Sequence, residues 1–276
     1  VLETRRLAGA FRSTHPGTLA ANFWRCRYLL WYLILRNLRV QYKQSIFGYA
    51  WVLLSPLFQL LVYSFVFSQV LNTPSQGGVP FLLFLLVGLI PWIFFSNSIA
   101  AATESISGAG ALVSVVYFPR EILTAAAVLT RVIDLAAGLF LFVVAMLIAG
   151  EPLRWSAVWM LPLLVVQVLF TLGLALPLAA LNVFFRDVRF LVAVGLNLWF
   201  FVTPILYPVD VVPERYQFVY DLNPMSRLVS SYRWAMFAGV APPIESILWS
   251  IAVSLAVLYV GYRLFKSMEP VFADNV

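Results

Sequence analysis

Side chains able to carry chemistry are few, and they do not converge. The chain has twelve Asp and Glu residues, scattered along it, and only Asp134 falls well inside an apolar stretch. General acid–base work needs groups that can meet at one reacting atom, so no carboxylate pair stands out as catalytic. The sole histidine, His15, lies in a polar N-terminal stretch. The sole cysteine, Cys26, excludes an internal disulfide and a Cys-based metal cluster. No Gly-rich loop ends in Gly-Lys-Ser/Thr, so a nucleoside triphosphate is not held in that way. No catalytic set, metal site or cofactor is expected in this chain. Arg131 and Asp134 are the one polar pair worth attention: three residues apart, they share a helix face. Charges within a membrane span are expensive and turn toward protein or water. The pair reads first as a local ion pair that fixes helix packing. The alternative is a polar spot on a substrate path.

A second set of side chains is aromatic. Interfacial belts and packing account for most of the aromatic residues, which form 16% of the chain. Yet Phe58, Tyr63, Phe94 and Phe200 fall within predicted helices rather than at their ends. With Trp92, Phe95, Trp199 and Tyr207 they could line a wide path. Pyranose C–H groups carry slight positive charge and rest on the negative face of a ring. Such contacts are weak and not tied to position, so a sugar chain could slide over them.

The elements that must position these side chains are membrane helices. Only 11% of residues are charged and 62% are hydrophobic, with a mean hydropathy of +0.92. Soluble domains carry about a quarter charged residues, so the fold class is an all-α integral membrane protein. The net charge of +6 reports orientation before any affinity for nucleic acid. Residues 1–20 read as a mobile polar tail, and no cleavable signal peptide is visible. Residues 21–45 read as an amphipathic helix, with Leu30, Trp31, Ile34, Leu35, Leu38 and Tyr42 on one side and Arg25, Arg36, Arg39 and Lys43 on another. The apolar core Tyr28–Leu35 is shorter than the roughly 20 residues a span needs, so an interfacial helix is expected.

Six spans follow, at about 50–71, 81–102, 122–149, 158–181, 190–206 and 244–265, the second broken by Pro91. They make a transmembrane domain over 46–266, with 267–276 as a tail. With the N-terminus inside, thirteen Lys and Arg lie on the cytoplasmic side and four on the other, which places both termini in the cytoplasm. The stretch Gly88–Glu121 then leaves the bilayer, makes a loop of small residues on the water side and returns. Small residues allow close backbone approach, so this loop is a docking candidate, with an ordinary connector as the alternative. Between spans five and six, Tyr207–Pro243 mixes aromatics with charges. Re-entrant helices or a surface amphipathic helix both fit it. Ser226 is the expected cap of a short helix running to Phe237.

Four places carry a family resemblance: Phe47-Gly48-Tyr49-Ala50-Trp51 with Pro56; Gly88-Leu89-Ile90-Pro91-Trp92-Ile93-Phe94-Phe95-Ser96-Asn97-Ser98; Leu181-Asn182-Val183-Phe184-Phe185-Arg186-Asp187-Val188; and Thr203-Pro204-Ile205 with Leu222-Asn223-Pro224-Met225. They resemble the membrane subunit of ABC-2-type polysaccharide exporters, the O-antigen (Wzm-like) and teichoic-acid permeases, over about residues 36–266. The resemblance implies a homodimeric channel in the bacterial inner membrane among membrane lipids. Two separate ATP-binding cassette subunits would hold ATP and Mg. The cargo would be a glycan on a polyprenyl-diphosphate lipid, O antigen first, with teichoic acid or capsule as alternatives, and no nucleic acid. Ser107, Ser114, Tyr117, Arg120 and Glu121 would then couple to the ATPase. Ser226, Arg227, Tyr232, Arg233 and Trp234 would belong to an outer gate. Rival readings are a small-molecule or drug exporter of the same type, a membrane glycosyltransferase, and a passive channel.

Overall fold

The structure, a computed structural model, describes residues 19–41, 47–70, 79–109 and 118–272. Every regular element among the described residues is helical. The tail before residue 19 lies outside them, as do Ser114, Tyr117 and Lys43.

The chain begins with α1 (Leu19–Arg25) and α2 (Arg27–Gln41), separated at Cys26. One face of this pair, Cys26, Leu33, Ile34 and Leu38, is buried against the start of α5 (Glu121–Thr130). Trp24, Tyr28, Trp31 and Tyr32 point outward. Trp31 therefore does not share the packed face of Ile34 and Leu38, as the sequence reading placed it. It joins a separate outward aromatic row, with the Arg27 guanidinium over the rings of Trp24 and Tyr28.

Among the described residues, four helices are long and apolar enough to cross a bilayer: Phe81–Thr103, Glu121–Ala149, Trp155–Phe184 and Ile244–Val271. The first, α4 (Phe81–Thr103), is apolar all round and buried along most of its length, as a central helix must be. It runs through Pro91 without a break. α4 packs against α5, α6 (Val132–Ala149), α7 (Met160–Phe184) and α8 (Val188–Val202). The second crossing is one hydrophobic stretch divided into α5 and α6 at Arg131, whose amide bonds back three residues to Val128. α7 lies in turn along α11 (Ile244–Met268). Their crossing is backbone on backbone: an added Cβ at Gly173 would sit 2.6 Å from the Leu258 nitrogen, and one at Gly261 would collide with the Gly173 carbonyl. Only glycine permits this approach.

Two expected spans are shorter than the sequence reading gave. α3 (Trp51–Ser64) passes into π-helical turns over Phe65–Val70. α8 has 15 residues, about 22 Å at 1.5 Å per residue, against roughly 30 Å of hydrocarbon. It ends at Val202 rather than Leu206 because Thr203 precedes Pro204 and takes an extended conformation, φ −98° and ψ 130°. No residue of α8 is buried, whereas the first half of α5 is sealed.

The segment after α8 folds into α9 (Glu214–Leu222) and α10 (Pro224–Arg233), the latter continuing as π-helical turns over Trp234–Ala238. The cap of α10 is Asn223, whose side-chain oxygen accepts from the Met225 amide, with Pro224 at the first helical position. Ser226 lies one turn further in and is not the cap. Its Oγ is buried without a hydrogen-bond partner.

Candidate functional site

The eight aromatics expected to line a path do not form one surface. Trp92, Phe95, Phe170 and Trp199 pack as a cluster in which Phe95 stacks on Phe170 at 5.8 Å and meets Trp199 edge-on at 5.2 Å. Phe94 and Phe95 are 1% and 0% exposed, packed inside the bundle. Trp92 is also buried, and its ring meets Phe200 at 5.7 Å. Phe58 on α3 is 53% exposed, while Tyr63, Trp199, Phe200 and Tyr207 are partly exposed. Phe201 and Phe65, which belong to the same exposed faces, are open as well. The inner rings brace a wall, and α3 and α8 present its outer aromatic side.

On one end of the bundle, α10 is anchored rather than free. Tyr232 donates to Gln167 Oε1 at 2.7 Å, and Gln167 donates to the Pro91 carbonyl at 2.7 Å. Arg233 donates to the carbonyls of Pro204 and Ile205 at 2.7 and 2.8 Å and lies 3.6 Å over the Phe84 ring. Gly88 leaves the space it fills. Hydrogen bonds from a charged donor contribute about 1.5–3 kcal/mol each. Burial pulls the Arg233 pKa down to about 9, which still leaves it charged at neutral pH. Asn223 accepts from Trp199 Nε1 at 2.9 Å and donates to Thr203 Oγ1 at 3.2 Å, tying the cap to the end of α8. Of the expected gate residues, Ser226 and Tyr232 are buried, Arg227 and Arg233 half-buried, and Trp234 exposed. α9 is the open part, with no buried residue. Its Tyr220 hydroxyl meets Tyr207 Oη at 2.7 Å, while Tyr207 donates to the Phe201 carbonyl. Burial and this bond raise the Tyr207 pKa, so it stays a neutral donor.

At the other end, three distant segments meet around charge. Glu121 is fully buried and accepts from Asn22 Nδ2 at 2.7 Å and Lys266 Nζ at 2.8 Å. Lys266 also pairs with Glu269 at 2.7 Å. Arg120 donates through Nη1 to the Glu269 carbonyl at 2.7 Å and through its amide to the Glu269 carboxylate at 3.2 Å. Nearby, Asn182 Nδ2 donates to Ser107 Oγ at 3.0 Å, fastening the turn after α4 to the end of α7. Sequence reasoning singled out Ser107, Arg120 and Glu121 but missed Asn22, Lys266 and Glu269. The partners they meet across the fold lie 99 to 149 residues away, and the spacing of three between Lys266 and Glu269 is their sole local mark.

Cys26 sits beside this cluster. Its burial, then the Glu121 carboxylate, push the thiol above its usual range, with Arg25 pulling the other way. Thiolate is the reactive form. The native chain should therefore react with maleimide much more slowly than free cysteine at pH 7, accelerating only above the ordinary thiol range. Rapid labelling at pH 7 would mean that α1 and α2 come off the bundle.

The Arg131–Asp134 pair is present as an ion pair, Nη1 to Oδ2 at 3.1 Å. It lines a cavity of ≈ 260 Å³ between α3, α4 and α6.

The profile of the ABC-2 type transporter family matches residues 28–237. An O-antigen export system permease protein RfbA of Myxococcus xanthus is 33% identical over 94% of this chain and 99% of its own length. One from Klebsiella pneumoniae is 30% identical over 87% and 91%. A polysialic acid transport protein KpsM of Escherichia coli is 25% identical over 86% and 92%.

Proposed function

The chain belongs to the ABC-2 type transporter family, and on that footing we propose that it is the membrane permease of an exporter for O-antigen polysaccharide. One observation carries this above the rest: relatives named as O-antigen export permeases align along nearly the whole of both chains. The polysialic acid transport protein is more distant, which ranks a capsule-type cargo second.

In this reading the cargo is a glycan on a polyprenyl-diphosphate lipid, and a separate pair of ATPase subunits with Mg-ATP supplies the power. Six spans cross the inner membrane, with α3 and α8 as the two short ones. Asn22, Glu121 and Lys266 lie together at one end of the bundle, which supports an even number of crossings with both termini on one side. The Lys and Arg bias makes that side the cytoplasm. The exposed faces of α3 and α8 meet a second copy, and the path runs between copies along Phe58, Tyr63, Phe200 and Tyr207. Ser105 to Glu121 receives the ATPase. α9 closes the outer mouth, pivoting on the anchored α10.

The test is reconstitution. Chain and ATPase subunits in proteoliposomes should move polyprenyl-linked glycan inside to outside with ATP, and neither protein alone should. Removing Glu214–Leu222 should raise resting ion conductance. Transport of lipophilic drugs but no glycan would replace this reading with the drug-exporter one.

A further inference from the structure

We propose that the cavity beside Arg131 and Asp134 is a subsite for a single sugar residue of the glycan, an inference that rests on the polysaccharide reading above. Its volume of ≈ 260 Å³ falls just under the roughly 300–1,000 Å³ of pockets for drug-sized ligands, which suits one ring rather than a folded oligosaccharide. The wall carries Gln41, Trp51, Phe94, Asn97, Arg131 and Asp134.

These side chains are what a polyhydroxylated ring needs. A hydroxyl both donates and accepts, and the wall offers both: a carboxylate acceptor at Asp134, guanidinium donors at Arg131 and the two-sided amides of Gln41 and Asn97. The indole of Trp51, more than a third exposed, offers a face to ring C–H groups. The two charged side chains keep 22% and 16% of their surface open, and Asn97 beside them is exposed. Arg131 Nε is buried with no partner, so the ion pair leaves part of the guanidinium's donor capacity unused. Native interiors leave few donors in that condition.

Charge decides between sugar and lipid phosphate. A second cavity of ≈ 340 Å³ adjoins the first, sharing Gln41 and Arg131, and adds Arg36 and Glu104. Among the described lining residues of the two, Arg36 and Arg131 are balanced by Glu104 and Asp134. A diphosphate entering here would meet two carboxylates for its two cations, and like charges at contact repel. A neutral ring meets no such opposition. The balanced pair orients hydroxyls, and the diphosphate lies elsewhere.

The experiment places a cysteine at Ser55, on the cavity wall, and follows its maleimide labelling in the complete complex with the ATPase subunits. The two probes are a polyprenyl-diphosphate-linked oligosaccharide and polyprenyl diphosphate without sugar. The glycolipid should slow labelling at least fivefold and the sugar-free lipid should not. Asn97→Ala, at an exposed position, and the charge-removing pair Arg131→Gln with Asp134→Asn should each remove the protection while leaving the melting temperature unchanged. Equal slowing by the sugar-free lipid would overturn the proposal and give the cavity to the lipid. Absence of protection in a complex that exports the glycolipid would overturn the subsite alone. A complex that fails to export the glycolipid would overturn the polysaccharide reading and the subsite with it.

Discussion

A leucine at Gly261 is expected to leave little correctly folded permease in the membrane. At the crossing of α7 and α11 the obstacle is backbone: the Gly173 carbonyl occupies the space that a Gly261 side chain would need. Overpacking a core typically costs about 1–3 kcal/mol, because neighbouring side chains can move aside. A main-chain carbonyl inside a helix cannot, so the cost here exceeds that range. The mirror change, Gly173→Leu, should be equally damaging, since its Cβ would lie 2.6 to 2.8 Å from the backbone of Val257 and Leu258. Gly108→Ala is the control, with nothing within 4 Å of an added Cβ. The measurement is the yield of monodisperse protein after detergent extraction, with its melting temperature. Normal yield and melting for Gly261→Leu would show that α7 and α11 do not cross as described.

The same crossing shows what a single sequence reveals and what it conceals. Hydropathy located α4, α7 and α11 within a few residues, because an all-apolar run of twenty-odd residues has few other uses. It could not say that Gly173 and Gly261 touch, since pairing between helices lacks any local periodic mark. Proline chemistry was legible in kind. The Asn223-Pro224 pair announced a helix start, but the hydroxyl of Ser226 drew attention from the better cap three residues earlier in the register, Asn223. The length of α8 was overread because Ile205 and Leu206 keep the stretch apolar while Pro204 ends the helix. The aromatics were the hardest. Composition identifies Phe94 and Phe58 as the same kind of residue, yet one is buried and the other half open. Which side of a helix faces its neighbours depends on a packing order that the apolar-all-round sequence of α4 does not encode. The family resemblance was legible because three of its four motifs sit at turns and helix ends, which demand particular residues, while the fourth, Gly88 to Ser98, is marked by a proline inside α4.

Glu121→Ala should separate ATP hydrolysis from export more sharply than any other single change. Its carboxylate, fully buried, binds α1 through Asn22 and the end of α11 through Lys266. Arg120 next to it reaches the turn after α11. A push delivered to the loop before α5 would therefore move the N-terminal helix and the last span together. Removing one partner of a buried ion pair costs about 3–5 kcal/mol. The cost here lies toward the lower end, because Lys266 keeps Glu269 at 2.7 Å and is 23% exposed. The chain should thus fold with reduced stability, bind its ATPase subunits and support basal hydrolysis, while glycan export falls at least tenfold. A second change tells coupling from folding. Adding Lys266→Met removes the ammonium that Glu121→Ala leaves half-paired, so the double variant should be more stable than Glu121→Ala alone. Export should stay low in it, because the three segments are still untied. If export returned along with stability, the cluster would be a packing device only. If hydrolysis and export fell in equal proportion in both variants, the ATPase would be reaching the membrane helices by some other contact, such as the Ser107–Asn182 bond that fastens the turn after α4 to α7.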